Sequence, residues 1–327
     1  MRRPLNVVTW NINLRKIAFI FPGQGSQYPG MGRDLAERFV SARRVFEQAD
    51  EALGYSISHL CFEGPAEQLQ LTANTQPAIL AVSAASAAVL RDAGVTPDYV
   101  AGHSLGEYSA LVAAGSLSLR DALVLVRHRG EYMQQAVPVG AGAMAALLGL
   151  EDAVCEQICS EAAQGSVVAP ANFNAPGQVV IAGEAQAVER AVELAKKRCA
   201  KRAIPLRVSA PFHCAMMQPA AARLAPELDA VAMLDPRATL VNNVDAQAVT
   251  TAAAARDGLK RQVASPVRWE ACMRHLLAAG VNLFIEAGPG KVLSGLLRQI
   301  DRSAVCLRVE DAATLQETLQ KLAEQPL

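Results

Sequence analysis

Short apolar runs bounded by turn residues alternate along the chain with longer stretches whose apolar positions recur at helical spacing. "KIAFIF" at 16–21 is the first such run and ends in the turn-rich "PGQGSQYPGMG", which predicts a buried strand and then a loop of unusual backbone. Helical periodicity follows over about 32–53, and "TQPAILAVSAASAAVLRDAG" predicts a second helix over 75–94 closed by Gly94. "PDYVAG" reads as the next strand. From Glu107, "EYSALVAAGSL" and "LRDALVLVRHRGEYMQQAV" predict helices, the second amphipathic with Arg127 and Arg129 in its later half. Strands alternating with helices predict a parallel sheet covered on both faces, with its chemistry in the loops after strand ends.

Residues 142–208 change that rhythm. "GAMAALLGL", a helix over 151–163, "SVVAPANFN", "GQVVIAG", a helix over 184–199 and "RAIPLRVS" give the strand-helix-strand, strand-helix-strand order of a ferredoxin-like unit. The junctions "VPVGAG" at 137–142 and "SAPFHC" at 209–214 mark where the chain leaves and re-enters the larger unit. Beyond them the pattern predicts a helix over 215–229, a strand near "ATLVNNVD", helices around 252–264 and 266–280, the strand "NLFIEAGPG" and a helix over 291–300. The expected organisation is a large subdomain over 15–136 and 209–327, an inserted small subdomain over 137–208, and an N-terminal extension over 1–14. The start "MRRPLNVVTWNINLRK" has no apolar run of signal-peptide or transmembrane length.

Composition narrows the function classes. The 327 residues are 51% hydrophobic, enough to fill a substantial core, and 31 Lys and Arg balance 31 Asp and Glu. No global field recruits nucleic acid or an anionic membrane. Seven cysteines, odd in number and without a CxxC pair, argue against a disulfide framework and a zinc site and for a reducing cytoplasm. Cys155 and Cys159, one helical turn apart, read as helix packing rather than metal ligands, and "AILAVSAASAAVL", broken by serines, reads as a buried helix.

Residues 102–106, "GHSLG", fit G-x-S-x-G with a strand before and a helix after. This is the nucleophile elbow, in which small flanking residues let a strained turn lift the serine hydroxyl clear of the sheet. Ser104 is the candidate nucleophile, and the helix start offers the Leu105 N–H to developing negative charge. A serine needs a base. Of five histidines, His103 adjoins the serine and reads as a support of the turn, His128 and His275 lie in helix patterns, and His59 sits in "ISHLCF". His213 alone occupies a loop between a predicted strand and helix, and is the candidate base. The glycines of "FPGQGSQYPGMG" have Tyr28 where a dinucleotide loop needs its third glycine, and neither they nor "EAGPGKVL" complete a Walker loop. They can instead bring a backbone N–H near Gln24 beside the serine.

"FPGQGSQ", "TQPAI", "GHSLGEYSAL", "RGEYMQQAVP", "NFNAPGQVVIAG", "SAPFHC", "SPVRW" and "EAGPGKVL", in one order between about Ile17 and Ile300, closely resemble the malonyl-CoA:acyl carrier protein transacylases. The resemblance implies an α/β-hydrolase-like large subdomain with an inserted ferredoxin-like small one. It implies Ser104 as nucleophile, His213 as general base, and Gln24 and Leu105 as oxyanion-hole donors. It further implies Gln262 as the residue whose main-chain carbonyl orients the histidine, so that no acid completes a triad, and Arg129 as the partner of the malonyl carboxylate. A guanidinium suits that task because it grips a carboxylate in bidentate fashion. On this reading Arg129 works at the far end of the donor, clear of the nucleophile.

The implied reaction is ping-pong transfer of a malonyl group from malonyl-CoA, through a serine ester, to the phosphopantetheine thiol of an acyl carrier protein in fatty acid biosynthesis. The coenzyme A thioester is substrate, no cofactor is bound permanently, and a cytoplasmic monomer is expected. Alternatives at this point are a discrete trans-acting acyltransferase of a polyketide synthase, an acyl hydrolase or thioesterase, and a silent scaffold domain.

Overall fold

The computed structural model describes residues 16–206, 208 and 210–324. The expected extension over 1–14 and Ser209 of the second junction lie outside these residues.

Among the described residues six strands form the large sheet: β1 (Ile17–Phe21), β2 (Tyr99–Gly102), β7 (Thr239–Val241), β8 (Ala248–Val249), β9 (Leu283–Ala287) and β10 (Val305–Val309), in the order β10-β9-β1-β2-β7-β8. All neighbours run parallel except β7 and β8. All five residues of β1 are buried, and they divide by parity. Ile17, Phe19 and Phe21 pack into the larger core on one face, while Ala18 and Ile20 enter a second core with Trp269, Met273 and Phe284 on the other. A strand covered on both sides has no polar face, which is why "IAFIF" is a continuous apolar run.

The helices of this unit are α1 (Arg33–Arg38), α2 (Val40–Leu53), α3 (Ile57–Glu63), α4 (Ala66–Leu69), α5 (Thr72–Asp92), α6 (Gly106–Ala113) and α7 (Leu119–Gln135). The single helix expected over 32–53 is two, because Phe39 adopts an extended conformation between them. Helix α5 is buried on all sides over most of its length. It is long and apolar enough to cross a membrane by length and composition, yet 89% of its apolar window is buried inside the protein, so it is a core helix. Pro77 inside it withholds an N–H from the carbonyl of Ala73. Arg127 Nη1 donates to that carbonyl instead, at 3.2 Å.

The small sheet holds β3 (Gly142–Leu148), β4 (Val168–Ala175), β5 (Gln178–Glu184) and β6 (Arg202–Pro205) in the order β4-β5-β3-β6, antiparallel throughout. With α8 (Asp152–Ala163) and α9 (Ala185–Lys197) on one face, this is the ferredoxin-like arrangement. Ala145, Leu147, Val179 and Ile181 pack on those helices together with Cys155 and Cys159, whereas Met144, Val180 and Ala182 turn to the core of the large unit. Backbone bonds from Phe173 N to Val267 O and from Val267 N to Ala171 O, both 2.9 Å, stitch β4 to the large unit.

The chain then runs through a 3-10 turn (Ala215–Met217), α10 (Gln218–Ala230), α11 (Ala252–Gln262), α12 (Trp269–Ala278), α13 (Val292–Ile300) and α14 (Ala312–Glu324). Helices α3, α4 and α14 and strands β8 and β10 had no counterpart in the sequence expectations. The first two helices and both strands are seven residues or fewer, while α14 lies beyond the last predicted helix and packs Leu315, Leu319 and Leu322 on the core.

Candidate active site

Ser104 stands between β2 and α6 with φ of +53°, a left-handed conformation that a non-glycine residue adopts at a cost and that puts its side chain above the sheet edge. The glycines on either side are there for space. A Cβ on Gly102 would collide with the backbone of Gly106, and one on Gly106 with the carbonyl oxygen of Phe21. Strand, turn and helix therefore touch backbone to backbone.

His213 also has a positive φ, +61°, and its Nε2 lies 2.7 Å from Ser104 Oγ. Its Nδ1 lies 3.0 Å from the main-chain oxygen of Gln262. A carbonyl can only accept, so Nδ1 carries the proton and Nε2 is the bare nitrogen that accepts from the serine hydroxyl. Burial, and then the positive charge of Arg129, press the imidazole pKa down to about 3. It is neutral, and available as a base, at ordinary pH.

Arg129 projects from α7 and is almost completely buried. Its Nη2 donates to Ser104 Oγ at 3.1 Å and to Gln262 Oε1 at 3.0 Å, its Nη1 donates to Gln76 Oε1 at 2.8 Å, and its guanidinium carbon lies 5.7 Å from the centre of the Tyr108 ring. This corrects the expectation that Arg129 works clear of the nucleophile. The helix can come so close because Gly130 has no side chain, since a Cβ there would lie 2.8 Å from Ala73 Cα and from Thr72 O on α5.

A cavity of about 640 Å³ opens over the serine between the two sheets, lined by Gln24, Ser104, Leu105, Arg129 and His213 from the large unit and by Met144, Asn174 and Val180 from the small one. Among the described residues, the main-chain N–H groups of Gln24 and Leu105 have no hydrogen-bond acceptor, so both can serve an oxygen in the cavity. The loop that bears Gln24 is anchored by Ser26 Oγ donating to Gly23 O at 2.8 Å, and the Gln24 side chain reaches Thr72 Oγ1 at 3.3 Å. All six residues singled out from the sequence, Gln24, Ser104, Leu105, Arg129, His213 and Gln262, are brought together here. His59, His128 and His275 sit on α3, α7 and α12 away from the cavity wall.

The family model described as acyl transferase domain matches residues 18–321. The chain belongs to that acyltransferase family. Among relatives of this acyltransferase, the malonyl CoA-acyl carrier protein transacylases of Bacillus subtilis and of Escherichia coli K12 are each 50% identical to it. The first match covers 95% of this chain and 99% of the relative, the second 88% and 93%. The crystal structure of an acyl carrier protein S-malonyltransferase from Vibrio cholerae superimposes with a TM-score of 0.91 at 50% identity, covering 93% of this chain and 99% of that one. A malonyl-transacylase solved in complex with a type II PKS acyl-carrier protein gives 0.91 at 46% identity over 94% and 99%.

Three residues of the acyltransferase site escaped the sequence reading. Asn243, just past β7, accepts from Ser104 N at 2.7 Å through Oδ1 and donates to Gly102 O at 2.7 Å through Nδ2, so one amide clamps both ends of the elbow. Glu107 lies fully buried in the first turn of α6 and accepts from Asn243 N at 2.9 Å and from Gln262 Nε2 at 3.0 Å. Gln76, one residue before Pro77, holds Arg129. Two of them left a faint signal: an Asn-Asn pair at a strand end and an acid directly after the elbow. His103, expected to support the turn, does so across the two sheets, with Nε2 2.8 Å from Asn174 Oδ1 on β4.

Proposed function

We propose that this acyltransferase moves a malonyl group from malonyl-CoA to the phosphopantetheine thiol of an acyl carrier protein through an ester on Ser104. The observation that carries the reading is the convergence of a neutral histidine and a buried guanidinium on one serine oxygen. His213 Nε2 takes the hydroxyl proton as Oγ attacks the thioester carbon, and the oxygen that becomes negative is met by the Gln24 and Leu105 N–H groups. The carbon–sulfur bond breaks and the imidazolium returns its proton to the departing coenzyme A thiolate. In the second half the carrier thiol gives its proton to His213, its sulfur attacks the ester carbon, and Ser104 leaves with the proton restored.

Arg129 chooses the donor. The malonyl carboxylate lies two bonds from the carbonyl carbon, so a group that grips it must stand next to the serine. Once Oγ is esterified it is a poor acceptor, and the Nη2 hydrogen bond turns from Oγ to the carboxylate, with the guanidinium still charged. The carboxylate also offsets the positive charge that opposes formation of the imidazolium. An acetyl group does neither.

Coenzyme A enters as substrate, with no cofactor held permanently. Residues 15–136 and 209–327 work as the catalytic subdomain, 137–208 as the small subdomain that walls the cavity, and the enzyme acts as a cytoplasmic monomer on fatty acid synthesis. A second reading, service to a polyketide carrier protein, is favoured by the likeness to the transacylase solved with such a carrier. Transfer assays with each kind of carrier distinguish the two. The reading as a whole is tested by mass spectrometry after mixing with malonyl-CoA. The wild type gains one malonyl unit and Ser104→Ala gains none, whereas an adduct that persists in the variant refutes the assignment.

A further inference from the structure

Among the described residues, Arg129 is a buried cation without a contacting anion. Among the described residues its acceptors are the amide oxygens of Gln76 and Gln262 and the hydroxyl of Ser104, none of them charged, and its Nε has no partner. The anion nearest in the hydrogen-bond network is one side chain further on. Gln262 turns Oε1 to Arg129 Nη2 and Nε2 to Glu107 Oε2, each at 3.0 Å, so its amide spans the gap between guanidinium and carboxylate with its dipole aligned to both. Glu107 is fully buried, and among the described residues its Oε1 makes no hydrogen bond.

We propose that Glu107, through Gln262, is the internal counter-charge of Arg129, competing with the donor carboxylate for it and so setting how strongly the enzyme prefers a dicarboxylic acyl group. The inference rests on the reading of Arg129 as the holder of the malonyl carboxylate. With Glu107 ionised, a second carboxylate arriving at Arg129 meets an anion one amide away. With Glu107 neutral, the guanidinium is left for the donor alone. Glu107 touches no reacting atom and is a positioning residue in this sense.

The competition depends on pH because burial raises the Glu107 carboxyl to about 7, against which the bonds from Asn243 N and Gln262 and the charge of Arg129 act. The charged and titratable groups around it are Arg129 on α7, Asp245 in the β7–β8 turn, Tyr108 beside it on α6 and Cys272 on α12. A group raised to about 7 is protonated below that pH and ionised above it. The preference for malonyl over acetyl is therefore high on the acid side of neutrality and falls on the alkaline side.

The test compares acylation of Ser104 by malonyl-pantetheine and acetyl-pantetheine, donors without phosphate, between about pH 6 and pH 9, scored by mass spectrometry as the ratio of kcat/KM. A like charge about 10 Å away in a poorly solvated site changes such a ratio by about tenfold. The wild-type ratio falls by about that factor across the range, while E107Q, which keeps the shape and removes the charge, shows a flat ratio at or above the wild-type acid limit. A wild-type ratio that stays flat overturns the proposal, as does an E107Q ratio that follows the same curve as the wild type. Should E107Q not fold, the wild-type curve decides alone. Absence of any acyl adduct from the malonyl donor counts against the proposed function itself, and an adduct with a flat ratio counts against the role of Glu107 only.

Discussion

Arg129 Nη2 donates to Ser104 Oγ across 3.1 Å, so the cation that selects the donor rests on the nucleophile that attacks it. Arg129→Ala removes both functions. Stranding the donor carboxylate in a partly dry site costs about 2–5 kcal/mol, a loss of roughly thirtyfold or more in malonyl acylation at 1.4 kcal/mol per factor of ten. Acetyl acylation loses one hydrogen bond to Oγ but gains an imidazole that is easier to protonate. The ratio of kcat/KM for malonyl over acetyl donors is expected to drop at least about thirtyfold. An unchanged ratio places donor selection elsewhere.

His213→Ala slows acylation and transfer to the carrier by at least about a hundredfold each, because the same nitrogen serves both halves. Single-turnover kinetics of each half-reaction measures this, and a variant slowed in one half alone requires a second base.

The pH dependence of the wild type carries a further expectation. An ordinary histidine base with a pKa near 6.5 loses activity about sixteenfold between pH 6.5 and pH 5. His213 is depressed to about 3 by burial and Arg129, so its base form persists through that range and is lost only as pH falls toward the depressed value. With acetyl-pantetheine, which adds no titrating group, kcat/KM should fall less than about fivefold over the same interval. A loss of about sixteenfold means that the imidazole titrates as in water.

Asn243→Ala withdraws the acceptor of Ser104 N and the donor to Gly102 O. Buried backbone groups left without partners cost about 1–3 kcal/mol each. Urea unfolding should show a loss of about 2 kcal/mol or more, and the acylation rate should fall as well, since the elbow no longer holds the serine. Stability lost with the rate intact separates the clamp from catalysis.

Two glycine substitutions should have opposite signs. Gly102→Ala drives a methyl group into the backbone of Gly106, where no side chain can yield, and is expected to cost about 3 kcal/mol or more or to prevent folding. Gly295→Ala sits in α13, where an added Cβ meets nothing within 4 Å, and should stabilise by up to about 1 kcal/mol from helix propensity. Thermal unfolding of the two variants side by side is the measurement. A tolerated Gly102→Ala contradicts the packing described for the elbow.

The sequence by itself determined a good deal here, for identifiable reasons. Buried strands such as β1 are written as continuous apolar runs, the elbow demands glycine at 102 and 106, and five of the six site residues stand in motifs specific enough to be read in order, the sixth, Gln262, lying three residues before "SPVRW". What it left open is what depends on distant segments meeting. The break at Phe39 is a backbone choice within a pattern that reads as one helix. Arg129 lies 25 positions from Ser104, and only the close passage of α7 over α5 at Gly130 puts its guanidinium on the serine rather than beyond it. Glu107 stands inside "GHSLGEYSAL" and Asn243 in an Asn-Asn pair at a strand end, yet neither pattern tells what the residue bonds, because their work is to satisfy buried polar groups that become neighbours only once β2, β7 and α11 are packed. A chain pattern records which faces are buried and which turns are tight. Which polar atoms share an interior is decided by three-dimensional contact, and in this protein that contact assembles the network behind the serine.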